Sequence, residues 1–60
     1  MQVGSRVKYE EHPKYGIGKI VSKNTIFSKD YYEVYFKDID DIIQLAEQDL
    51  ELVLDPAALL

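Results

Sequence analysis

Residues 31–37 read Tyr-Tyr-Glu-Val-Tyr-Phe-Lys, which is the clearest strand signal in this chain of 60 residues. Successive side chains of a β-strand point to opposite faces of the sheet. The even-numbered positions are apolar or aromatic and therefore predict a face that packs on a core. The odd-numbered positions combine Tyr31 and Tyr35 with charged residues and predict the exposed face.

Four further runs on either side of this stretch are rich in β-branched or aromatic residues and predict strands. They span residues 5–9, 17–23, 42–46 and 51–54. Residues 37–41 predict a tight turn that folds the fourth run back as a hairpin, and residues 47–50 predict one 3₁₀ turn. Residues 23–30 carry the turn formers Asn24 and Asp30 at their ends and predict a mobile loop.

Five short strands with one helical turn before the last predict an all-β fold, a small five-stranded SH3-like (Tudor-like) barrel over residues 1–54. A competing interpretation makes residues 41–54 a helix, but the β-rich remainder argues against it. Residues 55–60 begin with Asp55-Pro56, a helix N-cap followed by proline at the first helical position, and predict the possible start of a helix. Two interpretations of this tail stay open: it leads into a longer protein, or it docks on the barrel.

The same alternation predicts the core. Its members are Val7, Ile20, Val34, Phe36, Ile43, Leu45, Leu50 and Val53, with Tyr9 and Tyr32 at its edges. Gly16 and Gly18 predict a sharply bent second strand. At least one of them should have a backbone conformation closed to other residues, or lie where no Cβ fits.

Composition argues against enzyme chemistry. The chain has no Cys and a single His, which removes the usual zinc, iron–sulfur, haem and disulfide arrangements. His12 precedes Pro13 and predicts a loop residue rather than a general base. A domain this short leaves no room for a deep substrate cavity beside its core. We therefore expect a non-enzymatic protein with no catalytic residue, cofactor or metal, and the missing disulfides favour the cytoplasm.

The charge is distributed unevenly along the chain. Residues 1–37 hold all seven basic residues and four acidic ones, a balance of +3, whereas residues 38–60 hold seven acidic residues and no base, −7. Affinity for nucleic acid comes largely from phosphate neutralisation, so this net acidity argues against a dedicated nucleic-acid binder.

Three surfaces are candidates for binding. Tyrosine supplies a large contact area with a polar tip, and two outward tyrosines beside an apolar residue of the next strand predict a protein-binding patch: Tyr31, Tyr35 and Ile42. The alternative is a basic and aromatic nucleic-acid face: Arg6, Lys8, Lys14, Tyr15 and Lys19. A third possibility is a methyl-lysine cage formed by Tyr9, Tyr15 and Tyr31.

Residues 3–7 (Val-Gly-Ser-Arg-Val) and 12–21 (His-Pro-Lys-Tyr-Gly-Ile-Gly-Lys-Ile-Val) resemble the opening of two related bacterial modules. One is the Tudor-like C-terminal domain of UvrD/PcrA-type DNA helicases and their small stand-alone relatives. The other is the RNA-polymerase-interaction domain of CarD and the transcription-repair coupling factor. Residues 32–36 resemble their central strand, and Leu45 with residues 49–53 their closing segment, although the Val-Pro usual in the closing strand of CarD-type domains is missing.

This resemblance implies a docking module for bacterial RNA polymerase that serves transcription and DNA repair, as a helicase accessory domain or part of a transcription factor. The expected mode is β-augmentation, in which a partner strand pairs with a sheet edge while Tyr31, Tyr35 and Ile42 fill or flank pockets. We expect neither a membrane nor a small-molecule substrate as a partner.

Overall fold

The computed structural model of the protein describes residues 1–53, which form a single five-stranded antiparallel sheet. The strands are β1 (Arg6–Tyr9), β2 (Ile17–Ile26), β3 (Lys29–Phe36), β4 (Asp41–Ala46) and β5 (Leu50–Leu52). Two 3₁₀ turns, Pro13–Tyr15 and Glu47–Asp49, precede β2 and β5. The all-β prediction and the 3₁₀ turn before the last strand are confirmed, and the helical interpretation of residues 41–53 is wrong.

The strand order in the sheet is β4-β3-β2-β1-β5. The last strand therefore pairs with the first, while β4 and β5 form the two edges. These edges are not paired with each other within residues 1–53, so the described sheet is open. The tail predicted at residues 55–60 lies outside the described residues. Within residues 1–53, no helix has the length and apolar character needed to cross a membrane.

The core lies on one face of the sheet and agrees closely with the alternation in the sequence. Its buried members are Val7, Ile20, Tyr32, Val34, Phe36, Leu45 and Leu50. Ile43 and Val53, predicted as core residues, are only partly buried. Tyr9 packs at the edge of the core, as predicted, but Tyr32 is fully buried. The Tyr32 hydroxyl is 3.4 Å from both the Met1 carbonyl and a Glu47 carboxylate oxygen. These two oxygens supply hydrogen-bond acceptors for the polar end of the buried side chain.

Residues 23–30 do not form the predicted loop. β2 continues to Ile26 and β3 begins at Lys29, so the two strands form a long hairpin with Phe27 and Ser28 as its turn. Both turn residues have positive φ, 50° and 65°. Positive φ at both central residues is the type I′ arrangement, whose twist matches that of paired strands.

The two glycines of the Gly16-Ile17-Gly18 stretch act differently. Gly16 has φ of 72°, in the region that favours glycine, which confirms the prediction for at least one of them. Gly18 faces the core, where an added Cβ would overlap the side chains of Val34 and Phe36. The register irregularity of β2 lies between Ile20 and Ser22 rather than at the glycines, so the bulge follows the predicted site of bending.

Candidate protein-docking surface

A row of side chains crosses four strands on the face of the sheet that points away from the core. The register pairs Ile42 with Tyr35, Tyr35 with Lys19, and Lys19 with Arg6. Residues directly opposite in neighbouring strands project to the same face, so these four side chains form one line, here called the outer row. Ile42 is 51% exposed, which leaves an apolar end to the row beside the edge of the sheet.

Tyr31, the third residue of the predicted protein-binding patch, shares this face but is not adjacent to the other two. It lies opposite Ala46, and Glu33, opposite Gln44, separates it from Tyr35 along β3. The structure therefore brings Tyr35 and Ile42 together as direct neighbours and places Tyr31 at the far end of the same strand pair.

The Tyr35 ring is held by a hydrogen bond at its tip. Its hydroxyl donates to Oδ1 of Asp40 at 2.8 Å, in the turn between β3 and β4. The acceptor carboxylate raises the pKa of the Tyr35 hydroxyl above its ordinary value of 10.0, with smaller contributions from burial and from the Asp40 charge. The side chain is thus a neutral donor at physiological pH, with its ring fixed on the outer face.

β4 leaves one side of its backbone without a partner strand among residues 1–53. The Ile20 N–H bonds to the Ser5 carbonyl at 3.0 Å, so Ile20 directs its backbone groups toward β1. In an antiparallel pair, opposite residues that share hydrogen bonds alternate with opposite residues that do not. Val34 lies opposite Ile20, so its N–H and C=O groups point away from β2 and toward β4. There they form hydrogen bonds with the backbone of Ile43. The intervening β4 residues then direct their N–H and C=O groups to the free edge: Ile42, Gln44 and Ala46.

The first backbone N–H of this free edge, that of Ile42, already has a hydrogen-bond acceptor within the chain. Oδ1 of Asp41 accepts a hydrogen bond from the Ile42 N–H at 2.8 Å. A carboxylate on an edge strand also discourages unspecific pairing with other chains. The N–H and C=O groups of Gln44 and the N–H of Ala46 are left for a partner strand, because the Ala46 carbonyl is the N-cap acceptor of the second 3₁₀ turn.

A shallow groove of about 320 Å³ runs along the outer row. Gly18 also lines the groove, and the lining side chains are aromatic, apolar and basic: Arg6, Ile17, Lys19, Tyr35 and Lys37. Two of these were not among the predicted site residues. Lys37 continues the outward positions of β3 and was available from the alternation in the sequence. Ile17 was available in the same way, because it lies two residues before the outward Lys19 on β2.

The predicted nucleic-acid face is only partly assembled. Arg6 and Lys19 are direct neighbours. Lys8 pairs with Glu51 at 3.5 Å, which offsets its charge. Lys14 and Tyr15 lie on the first 3₁₀ turn, and Tyr15 packs its ring on Phe36 with centroids 5.3 Å apart.

The tyrosines of the predicted methyl-lysine cage do not surround a common space. Tyr9 and Tyr15 lie together, with ring centroids 5.9 Å apart, and His12 stacks on Tyr15 at 5.0 Å. Tyr31 lies on the outer face of β3, away from this cluster on the core side. His12 is therefore part of an aromatic cluster that packs at one end of the sheet.

No group of three or more His, Asp or Glu side chains within residues 1–53 is placed to hold a metal ion. Comparisons with protein-family models, with curated proteins and with solved structures gave no match.

Proposed function

We propose that this chain is a non-enzymatic interaction module that docks on bacterial RNA polymerase by adding a partner strand to the free edge of β4. The observation that carries the proposal is the position of this edge beside the Tyr35–Ile42 pair. Backbone groups on the edge supply affinity, and side chains projecting next to it supply selectivity. A cytoplasmic location follows from such a partner.

The choice of β4 over β5 is supported by length and access. β4 has six residues and β5 only three, so β4 offers a longer series of backbone groups. An apolar side chain on an edge strand increases the contact with a partner, and Ile42 is half exposed on the outer face.

The finer fold that we propose is the SH3-like, Tudor-like barrel. Three features support it: the last strand lies beside the first, β2 carries a bulge, and a 3₁₀ turn leads from β4 into β5. Bulges and tight turns of this kind curve a short sheet strongly. RNA polymerase enters as the partner through the resemblance of residues 3–7 and 12–21 to the helicase and CarD-type modules.

The proposal is tested by retention of purified RNA polymerase core enzyme on the immobilised chain of 60 residues. We expect the wild-type chain to retain the enzyme. Gln44→Pro removes an edge N–H at a position where proline is tolerated, and should abolish retention. Gln44→Ala, which keeps that N–H, is the matched control and should retain the enzyme. Ile42→Asp should weaken retention because it places a charge in the apolar contact.

Thermal unfolding of each variant separates a lost contact from a lost fold. The proposal is wrong if the folded wild-type chain retains no polymerase subunit. The edge-pairing mode is wrong if Gln44→Pro, still folded, retains as much as Gln44→Ala.

A further inference from the structure

The basic residues of the chain differ in whether they have carboxylate partners. Lys8 pairs with Glu51, and Lys23 pairs with Asp30 at 3.7 Å. Within residues 1–53, no carboxylate forms a salt bridge with any of the three cations that line the outer-row groove: Arg6, Lys19 and Lys37. In a protein with a net charge of −4, three cations that have no salt bridge within the described residues thus surround one groove.

The groove also has an apolar component. Ile17, which is 54% exposed, and Tyr35 both line the groove, and Tyr35 lies directly opposite the exposed Ile42 on β4. An apolar side chain of a ligand seated here is shielded from water by both residues, while the cations lie within reach of its flanking groups. This combination suits a ligand that carries acidic and apolar groups on the same face.

We propose that the groove binds an extended acidic segment of the protein partner, with an apolar side chain on Ile17 and Tyr35 and carboxylates directed to Arg6, Lys19 and Lys37. This inference rests on the proposed function, because it assigns the chemistry of the partner segment at the same face. Electrostatic complementarity of this kind fixes the register of a docked segment and speeds its association.

The observations favour a peptide over nucleic acid because carboxylates border the groove. The Asp40 carboxylate accepts a hydrogen bond from the Tyr35 hydroxyl. The Asp38 carboxylate lies against Gly16, the neighbour of Ile17. A nucleic acid carries a phosphate at every step, so its backbone would meet these acids as well as the cations. A peptide can place its acidic residues only where the cations are.

The test is a titration of the isotope-labelled chain of 60 residues, followed by the shifts of its backbone amide signals in NMR spectra. The probes are a blocked octapeptide that carries Glu or Leu at every second position with Ala between them, so that acidic and apolar side chains share one face, the same peptide with Lys in place of Glu, and an octathymidylate. We expect the acidic peptide to shift the signals of Lys19 and Tyr35, with an affinity that falls as salt is added.

Lys19→Glu should weaken the binding of the acidic peptide by about fivefold or more, because it replaces an attraction with a repulsion. Lys29→Glu is the matched control: it makes the same charge change at the start of β3, outside the groove, and should leave the affinity unchanged. Three results overturn the inference: equal shifts with the basic peptide, larger shifts with octathymidylate, or the same affinity for both variants.

The result with RNA polymerase distinguishes this inference from the proposed function. A chain that binds the acidic peptide in the groove but retains no polymerase contradicts the polymerase assignment and supports the groove. A Lys19→Glu chain that retains polymerase like the wild type, while Gln44→Pro does not, supports edge docking and overturns the role of the groove.

Discussion

Gly18 shows at the scale of one residue how the sequence shapes the core. Its backbone lies opposite Val7 on one side and Phe36 on the other, and a Cβ added there would lie 2.8 Å from Phe36 Cε1 and closer still to Val34. We predict that Gly18→Ala destabilises the fold by about 1–3 kcal/mol, the usual cost of overfilling a packed core. Urea unfolding measures this change.

The matched control for Gly18 is Gly4, which has φ of 95° but open space where a Cβ would stand. Gly4→Ala therefore costs only the backbone strain, about 1 kcal/mol. A second variant, Gly18→Ala combined with Val34→Ala, frees space beside the new methyl group and should cost less than the sum of the two single changes. A neutral or stabilising Gly18→Ala would contradict this packing.

The free energy of unfolding should depend on pH in the alkaline range through three tyrosine hydroxyls. The pKa values of Tyr9 and Tyr35 are raised above 10.0 chiefly by hydrogen bonds to Glu11 and Asp40, and that of Tyr32 chiefly by burial. The fold thus favours the protonated hydroxyls, and this stabilisation is fully present below the unfolded pKa. It is lost as the pH rises through the raised folded values, so we predict a falling urea midpoint above about pH 10.

The ultraviolet absorbance of tyrosinate checks the cause at Tyr35. Asp40→Asn removes the charged acceptor and should move the titration of one tyrosine to lower pH. An alkaline titration curve identical to that of the wild-type chain would contradict the role given to Asp40.

At the scale of the element, the turn of the β2–β3 hairpin holds its two residues in strained backbone conformations. Phe27 and Ser28 both have positive φ, where Asn-Gly is the favoured pair, and Phe27 is 97% exposed. We predict that Phe27→Asn combined with Ser28→Gly stabilises the fold by about 1 kcal/mol, because it relieves strain without removing a buried side chain. Thermal unfolding checks this, and a lower melting temperature would contradict it.

The same hairpin shows why its length was not predictable from the sequence. Alternation of apolar and polar residues arises only where one face of a strand is buried. Residues 22–26 and 29–31 extend beyond the core and are exposed or half-buried, so they show no such alternation. The turn residues also lack Gly and Asn. The polar residues of this stretch therefore favoured a loop. Residues 32–36 lie over the core, and their burial follows the predicted alternation residue by residue.

The candidate site was predictable to a similar extent. The outward direction of Tyr35 and its pairing with Ile42 followed from the alternation and from the tight turn at residues 37–41. The position of β4 at an edge did not, because strand order depends on contacts between distant parts of the chain. That Arg6, Lys19 and Lys37 form no salt bridge within residues 1–53 also depends on the register between strands.

At the scale of the whole molecule, the arrangement of the sheet explains how the charge of the chain is distributed in space. All seven basic residues precede Asp38, so they belong to β1, β2, β3 and their connections. The acidic second half supplies both edges of the described sheet, β4 and β5. Each edge strand carries one acidic residue, Asp41 on β4 and Glu51 on β5, and a charged side chain on an edge strand discourages pairing between copies of this chain. The centre of the outer face stays basic.

The central claim, a partner strand on β4, is tested most directly by amide hydrogen exchange at single residues, with and without RNA polymerase core enzyme. In the free chain, Ile43 and Leu45 should exchange slowly because they bond to β3, whereas Gln44 and Ala46 should exchange fast. We predict that Gln44 and Ala46 become protected in the complex, because a partner strand accepts their hydrogen bonds. Unchanged fast exchange at both residues in a chain bound to polymerase would contradict docking through this edge.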